Sequence, residues 1–304
     1  MVTRRYGTLT AVETVSLSVQ RGEIVGLLGP NGAGKTTIMK VLTGFHFAHG
    51  GTAMVDSIDL SVDPGAAKAR IGYLPESAPV YAALTVSEYL EFIAGAHSIT
   101  GAARRTAVDR VVHLCSLEEV FERQIDELSK GFRQRVGLAQ ALIHDPSNII
   151  LDEPTSGLDP NQIQGVREII RDLGRSKSVL LSTHILSEVE ALCDRVLIID
   201  RGRIVAEGTP DEIARGLRGA SLVEFEFVGT PAAAAREALG AIGDVVAFDE
   251  RPDGARVRLA LEDGVDGSAV FDWAVHASVR LRSLVPGRYS LEEIFARLTA
   301  GGAR

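Results

Sequence analysis

Apolar and polar positions alternate from Leu9 onward and then give way to an unbroken apolar run at Ile24–Leu28. Alternation marks a half-exposed strand and a continuous short run a strand buried on both faces. The pattern therefore predicts a strand, a turn at Arg21-Gly22 and a buried strand. A helix is predicted over Lys35–Leu42, closed by Gly44, then a short strand region over 52–60 and a strand at Ile71–Leu74 entering a loop with Pro75 and Pro79. Residues 85–145 read as helical throughout. Thr85-Val86-Ser87-Glu88 has the capping-box spacing, a second helix is predicted over 103–115, and a third begins near Ser129 with Val136, Ala139, Leu142 and Ile143 at helical spacing. Strands at 148–151, 178–182 and 195–199 then alternate with helices at 161–173 and 185–192. Such alternation predicts a parallel sheet with helices on both faces.

The tail follows a different pattern. Leu222–Val228 alternates cleanly, an Ala-rich helix is predicted over 231–241, and strands near 244–249 and 255–261, a helix near 267–277 and a strand near 279–285 follow. The order β-α-β-β-α-β suggests a small ferredoxin-like module. A last helix is predicted to begin at Ser290 and run to about residue 298, and the boundary between the two parts is expected near residues 216–219. Trp273 and His276 are expected on a helix packed against the small sheet, without a chemical role.

The run from Gly29 through Pro30, Asn31, Gly32, Ala33, Gly34, Lys35, Thr36 and Thr37 joins a predicted buried strand to a predicted helix. It fits the phosphate-loop spacing G-x-x-x-x-G-K-[ST]. Glycines let backbone amides converge on phosphate oxygens, and the helix that follows points its positive end at the same anion. Lys35 adds a mobile full charge, and the Thr36 hydroxyl is a candidate Mg²⁺ ligand. The apolar strand near 149–151 ends in Asp152-Glu153. Asp152 is placed to hold Mg²⁺, which takes few carboxylates alongside phosphate and water. Glu153 is a candidate general base for an attacking water.

Composition narrows the setting. A chain of 304 residues suffices for two cores, with 45% apolar and 24% charged residues, as in ordinary globular proteins. The formal charge of −8 lacks the basic field of a nucleic-acid binder, so no nucleic acid is expected. Two cysteines, Cys115 and Cys193, are too few for a disulfide framework and are expected as small buried hydrophobes in a reducing compartment. The opening MVTRRYG does not read as a secretory signal, and no apolar run approaches the roughly 20 residues that span a bilayer.

With Lys35 and Asp152 in order, Leu128-Ser129-Lys130-Gly131-Phe132-Arg133-Gln134-Arg135 between them resembles the signature of ABC transporter nucleotide-binding domains. Ser156-Gly157-Leu158-Asp159 resembles that family's D-loop, and His184 stands where the family places a histidine after a strand. The resemblance covers about the first 215 residues. It implies an α/β phosphate-loop NTPase sheet with an antiparallel β subdomain and a helical subdomain at about 77–145, over domain 1–215; the α+β accessory module read from the tail pattern takes 220–304. It implies an ATPase that takes ATP with Mg²⁺. Tyr6 would stack on adenine, Glu153, His184 and Lys35 would be catalytic, and Thr36, Asp152 and Glu76 would face the metal. Ser129, Gly131 and Asp159 would complete the site of a second copy in a head-to-tail homodimer, or in a heterodimer with a related cassette. Separately encoded transmembrane permease subunits would be the partners, with the chain cytoplasmic and peripheral at the plasma membrane.

Three departures stand out. Lys130 and Phe132 replace the family's Gly and Gln, and Lys130 is expected either near the partner's phosphate or in solvent. Glu76, in Gly72-Tyr73-Leu74-Pro75-Glu76, replaces the Q-loop Gln; its carboxylate would reach Mg²⁺ or a water, or lie simply on the surface. Five residues precede Tyr6, so the antiparallel subdomain is expected to be one strand short or to start upstream. The YLPE and LSKGFRQR segments are similar to a bacterial branch tied to multidrug export and gliding motility. A soluble ABC-type ATPase acting on nucleic acid or the ribosome is the alternative, and a phosphate-loop kinase or GTPase leaves residues 128–135, 156–159 and 184 without a part.

Overall fold

The structure is a computed structural model and describes residues 1–216, 222–262, 265–287 and 293–295. It divides into two compact units, Met1–Pro210 and Asp211–Arg304.

The first unit opens with β1 (Val2–Tyr6) and β2 (Leu9–Val15), paired antiparallel with Tyr6 opposite Leu9. The expected missing strand is therefore present. Five residues suffice because Gly7, at φ +58°, closes a two-residue hairpin loop that returns the chain at once. Tyr6 accordingly ends the first strand and does not precede it.

The chain continues through β3 (Ile24–Leu28), α1 (Lys35–Leu42), the short hairpin β4 (Met54–Val55) and β5 (Ile58–Asp59), α2 (Pro64–Lys68) and β6 (Ile71–Leu74). Next come α3 (Val86–Ala96), α4 (Gly101–Leu114) and α5 (Lys130–Leu142). The stretch between α4 and α5 holds only two three-residue 3₁₀ turns, at Glu118–Val120 and Ile125–Glu127, so residues 85–145 are not helical throughout. The capping box at Thr85 is present: Glu88 N–H donates to Thr85 Oγ1 at 3.2 Å and Thr85 N–H to Glu88 Oε2 at 2.9 Å. Then follow β7 (Asn148–Asp152), α6 (Pro160–Gly174), β8 (Ser178–Thr183), α7 (Leu186–Leu192), β9 (Arg195–Asp200) and β10 (Arg203–Gly208); α8 (Pro210–Gly216) starts at the last residue of this unit and continues into the second.

Six strands form one sheet in the order β10-β9-β3-β8-β7-β6, all parallel except β10. Val25, Leu27, Leu180, Leu197 and Ile199 pack beneath α1 through Ile38 and Met39. The register sets the site. Leu28 pairs with Thr183 and Ser182 with Asp152, so the carboxyl ends of β3, β8 and β7 emerge side by side. Ligands of open α/β sheets bind at that edge.

The second unit contains β11 (Leu222–Val228), α9 (Ala232–Leu239), β12 (Gly243–Arg251), β13 (Gly254–Leu261), α10 (Ser268–His276) and β14 (Arg280–Pro286). Its sheet runs β12-β13-β11-β14, wholly antiparallel, in the ferredoxin-like order. Phe225, Phe227, Val257 and Leu259 meet Leu239, Val270 and Trp273 in its core. Glu224 and Glu226, the alternate residues of β11, pair with Arg258 and Arg282 at 3.0 and 3.1 Å. Trp273 is buried, but His276 is exposed at the helix end, its Nδ1 2.7 Å from Asp272 O. Of the helix expected over 290–298, only residues 293–295 lie among the described residues, and 217–219 of the expected boundary lie outside them.

Candidate functional site

The loop over 29–34 joins β3 to α1, whose first turn carries Lys35, Thr36 and Thr37. Gly34, which precedes α1, has φ +111°, and a Cβ there would come within 2.6 Å of Ala11 O, so only glycine fits. The first-turn amides of α1 have no helical partner and point outward with the positive helix end. Lys35 is folded under this loop. Its Nζ donates to Gly29 O at 2.7 Å and lies 3.3 Å from Glu153 Oε1.

Asp152 ends β7 and is 2% exposed. Its Oδ1 accepts from Ser182 Oγ at 2.5 Å. Glu153 follows with φ +49°, a left-handed conformation that a non-glycine residue rarely adopts. Strain of this kind persists where neighbours over-determine it. Here the Glu153 N–H is held by Ser182 Oγ at 3.0 Å and Ser182 O at 3.2 Å. Glu153 Oε2 lies 2.8 Å from His184 Nδ1, so the carboxylate bridges Lys35 and His184.

Lys35, Glu153 and His184 share a cleft of about 510 Å³, within the usual range for small-molecule sites, whereas Asp152, buried at the end of β7, does not line it. Tyr6, Pro30, Asn31, Gly32, Gly34, Lys35, Thr36, Thr37, Glu76, Glu153 and His184 all line it. Gly29 and Ala33 support the loop from behind, Ala33 being 3% exposed. Tyr6 is 40% exposed, with the Arg4 guanidinium 4.9 Å above its ring and His46 edge-on at 5.6 Å. Glu76 is exposed just past β6. Beside Asp152, Tyr73 has its phenol pushed up to about 12, by burial first and then by the nearby carboxylate. A more apolar cavity of about 370 Å³, lined among others by Val15, Ile38, Val41 and Leu180, contains none of the expected site residues.

Among the described residues, Ser129, Gly131 and Asp159 do not line the cleft. Ser129 caps α5, its Oγ accepting from Phe132 N–H at 3.3 Å, and Asp159 caps α6 by accepting from Asn161 and Gln162 N–H, each at 3.0 Å. Gly131 is buried against the Gln162 side chain. The Lys130 ammonium lies against Gly157, where a Cβ would stand, so this side chain leans over its own D-loop. Phe132 lies beneath the Arg135 guanidinium at 5.7 Å.

Two contributors carry no motif of their own in the sequence. Ser182 fixes both Asp152 and Glu153; its only sequence signal is a hydroxyl closing the apolar run Val179–Leu181. Gln134, 6% exposed, donates from Nε2 to Pro154 O at 3.0 Å, tying α5 to the segment after Glu153. Both cysteines are free and buried, and burial pushes each thiol up to about 12. The candidate metal ligands, the Thr36 hydroxyl and the carboxylates of Asp152 and Glu76, are all oxygens, and Thr36 and Glu76 line the cleft. That set fits Mg²⁺, which takes few protein ligands beside phosphate and water.

Among the described residues no helix is long and apolar enough to cross a membrane. The family model described as ABC transporter matches residues 12–156. The probable multidrug ABC transporter ATP-binding protein YbhF of Escherichia coli (strain K12) is 37% identical over 213 residues, 70% of this chain; the chain spans only 37% of that protein's length. The Nod factor export ATP-binding protein I of Burkholderia orbicola (strain AU 1054) is 33% identical over 307 residues, covering 98% of this chain and 95% of that one. A solved ATP binding subunit of an ABC transporter aligns with TM-score 0.65 and 34% identity, over 72% of this chain and 92% of the other. With near full-length similarity to one relative and the cassette architecture in the fold, this chain belongs to the ABC transporter family.

Proposed function

We propose that this chain binds and hydrolyses ATP, and that it drives export through separate membrane-spanning subunits at the cytoplasmic face of the plasma membrane. One observation carries the reading: Lys35, Glu153 and His184 form a connected chain in a single cleft with the phosphate loop. ATP would seat its phosphates on the loop amides and Lys35, with its base toward Tyr6. Thr36 and Asp152, with Glu76 nearby, would hold Mg²⁺, which when bound neutralises phosphate charge. Glu153 accepts a proton from the attacking water, and His184 steadies that carboxylate through its Nδ1 proton. Positioning and charge do most of the work, since phosphoryl transfer asks little covalent help of the protein.

Ser129, Gly131 and Asp159 serve the site of a second copy. Their separation from this copy's cleft supports that reading, because residues used in the same subunit would face its own loop. Two chains would close head to tail around two ATP molecules and open after hydrolysis. The exposed surface near Glu76, with Tyr81 and Phe92 open to solvent, would receive the membrane subunit. Export as the direction is supported by the name of one relative, the Nod factor export ATP-binding protein I. Purification of the native protein from membranes tests this: a multi-span membrane protein should accompany it. Recovery with ribosomes or nucleic acid instead would contradict it.

A further inference from the structure

We infer that Glu188 is a positioning residue that locks the segment bearing Glu153 to the segment bearing His184; the inference rests on the roles proposed for those two residues. Glu188 sits in the first turn of α7 and is 1% exposed. Among the described residues no cation pairs with it. Two hydroxyls satisfy it instead. Thr183 Oγ1 donates to Glu188 Oε2 at 2.7 Å, and Thr155 Oγ1 donates to Glu188 Oε1. Thr183 is the residue before His184, and Thr155 lies two residues after Glu153. The Thr183 hydroxyl also accepts from Ile185 N–H at 3.0 Å, so its proton is committed to Glu188.

Beyond the Asp152–Ser182 pair that ends the β7–β8 ladder, the two segments are joined twice more. At the cleft, His184 Nδ1 meets Glu153 Oε2 at 2.8 Å. In the interior, the bridge Thr155–Glu188–Thr183 ties the same segments where Thr155 and Thr183 are 2% and 0% exposed. A buried carboxyl group is costly unless hydrogen-bonded. An apolar side chain would serve packing alone, but it would strand two buried hydroxyls. What the carboxyl group adds is a buried tie between the two segments just past the Asp152–Ser182 pair, where the β7–β8 ladder ends. Hydrolysis needs that tie, because a displacement of about 1 Å at a reacting group can cost on the order of a hundredfold in rate.

The test is steady-state ATPase kinetics on the full chain. Glu188→Ala should lower kcat by about tenfold or more, with KM for ATP within about twofold of wild type. Glu188→Gln, which keeps the shape and one acceptor, should recover most of the loss. In a His184→Ala background, Glu188→Ala should cost nothing further, because both act on one arrangement. Should Glu188→Ala fail to fold, Thr155→Val removes one arm of the bridge and should still lower kcat severalfold at unchanged KM. Wild-type kcat in Thr155→Val, or in a folded Glu188→Ala protein that melts earlier, would overturn the inference, as would losses that simply multiply with His184→Ala. Glu153→Gln is measured alongside. If that variant hydrolyses ATP normally, the reading of the site fails, whatever Glu188 does.

Discussion

Lys35 Nζ lies 3.3 Å from Glu153 Oε1, and the two side chains are only 6% and 9% exposed. The phosphate-loop lysine and the proposed base thus form one buried charge pair, and a bound phosphate would compete with Glu153 for the ammonium. Removing one partner of such a pair leaves the other charge uncompensated, although His184 offsets part of that here. Lys35→Ala should weaken ATP binding at least tenfold, about 1.4 kcal/mol, and should also lower the thermal midpoint. A fluorescent-nucleotide titration and a melting curve read both; wild-type affinity would contradict the assignment.

His184 meets Glu153 through Nδ1 at 2.8 Å, whereas Lys35 holds the loop through Gly29 O. His184→Ala should therefore reduce kcat by about a hundredfold, the lower end expected of a proton-handling group. ATP affinity should change by no more than a few-fold. A loss of affinity with kcat preserved would move His184 from hydrolysis to binding.

Ser129 both caps α5 and is proposed to meet the ATP of a second copy. The two roles separate by substitution. Glycine is tolerated at an N-cap with a loss of a few tenths of a kcal/mol, whereas alanine costs about 1 kcal/mol. Ser129→Gly should melt close to wild type, yet fail to dimerise with ATP in light scattering. A Ser129→Gly protein that dimerises normally would leave Ser129 with its capping role alone.

His97 and His144 stack at 4.0 Å between centroids, 5° from parallel, with His144 Nε2 3.1 Å from Ile71 O. Burial first, then the neighbouring His97, pushes His144 down to about 4, and burial lowers His97 also. A depressed folded value means the fold prefers the neutral ring. This contribution is whole above the unfolded value near 6.5 and is lost as pH falls toward 4. Asp145, held below its usual range by the Lys177 hydrogen bond, loses its own contribution only at still lower pH. Urea midpoints should therefore fall between pH 7.5 and pH 5. His144→Phe, which keeps a ring but cannot be protonated, should flatten that fall. An unchanged slope in the variant would refute the assignment.

Much of this was legible in the sequence. The buried run Ile24–Leu28, the spacing from Gly29 to Thr36 and the Asp152-Glu153 pair are local patterns, and local patterns fix both the strand and the chemistry at its end. Thr85 and Glu88 announced their helix because a capping box is complete within four residues. The bridging at the site was not legible. Ser182 and Gln134 act across the sheet register and across α5, and no spacing in the chain reports a partner 30 or 20 residues away. Lys130 had been expected near the partner's phosphate or in solvent, and its place against Gly157 depends on the tertiary approach of α5 to the D-loop. The strand Val2–Tyr6 was missed because five residues carry too little alternation to be read without their partner β2.

The most direct measurement is ATP turnover and mass of the Glu153→Gln protein, taken with and without ATP and Mg²⁺. ATP binding should match wild type, hydrolysis should be at least about a hundredfold slower, and the mass should double when ATP is added. Hydrolysis at the wild-type rate would contradict the role proposed for Glu153.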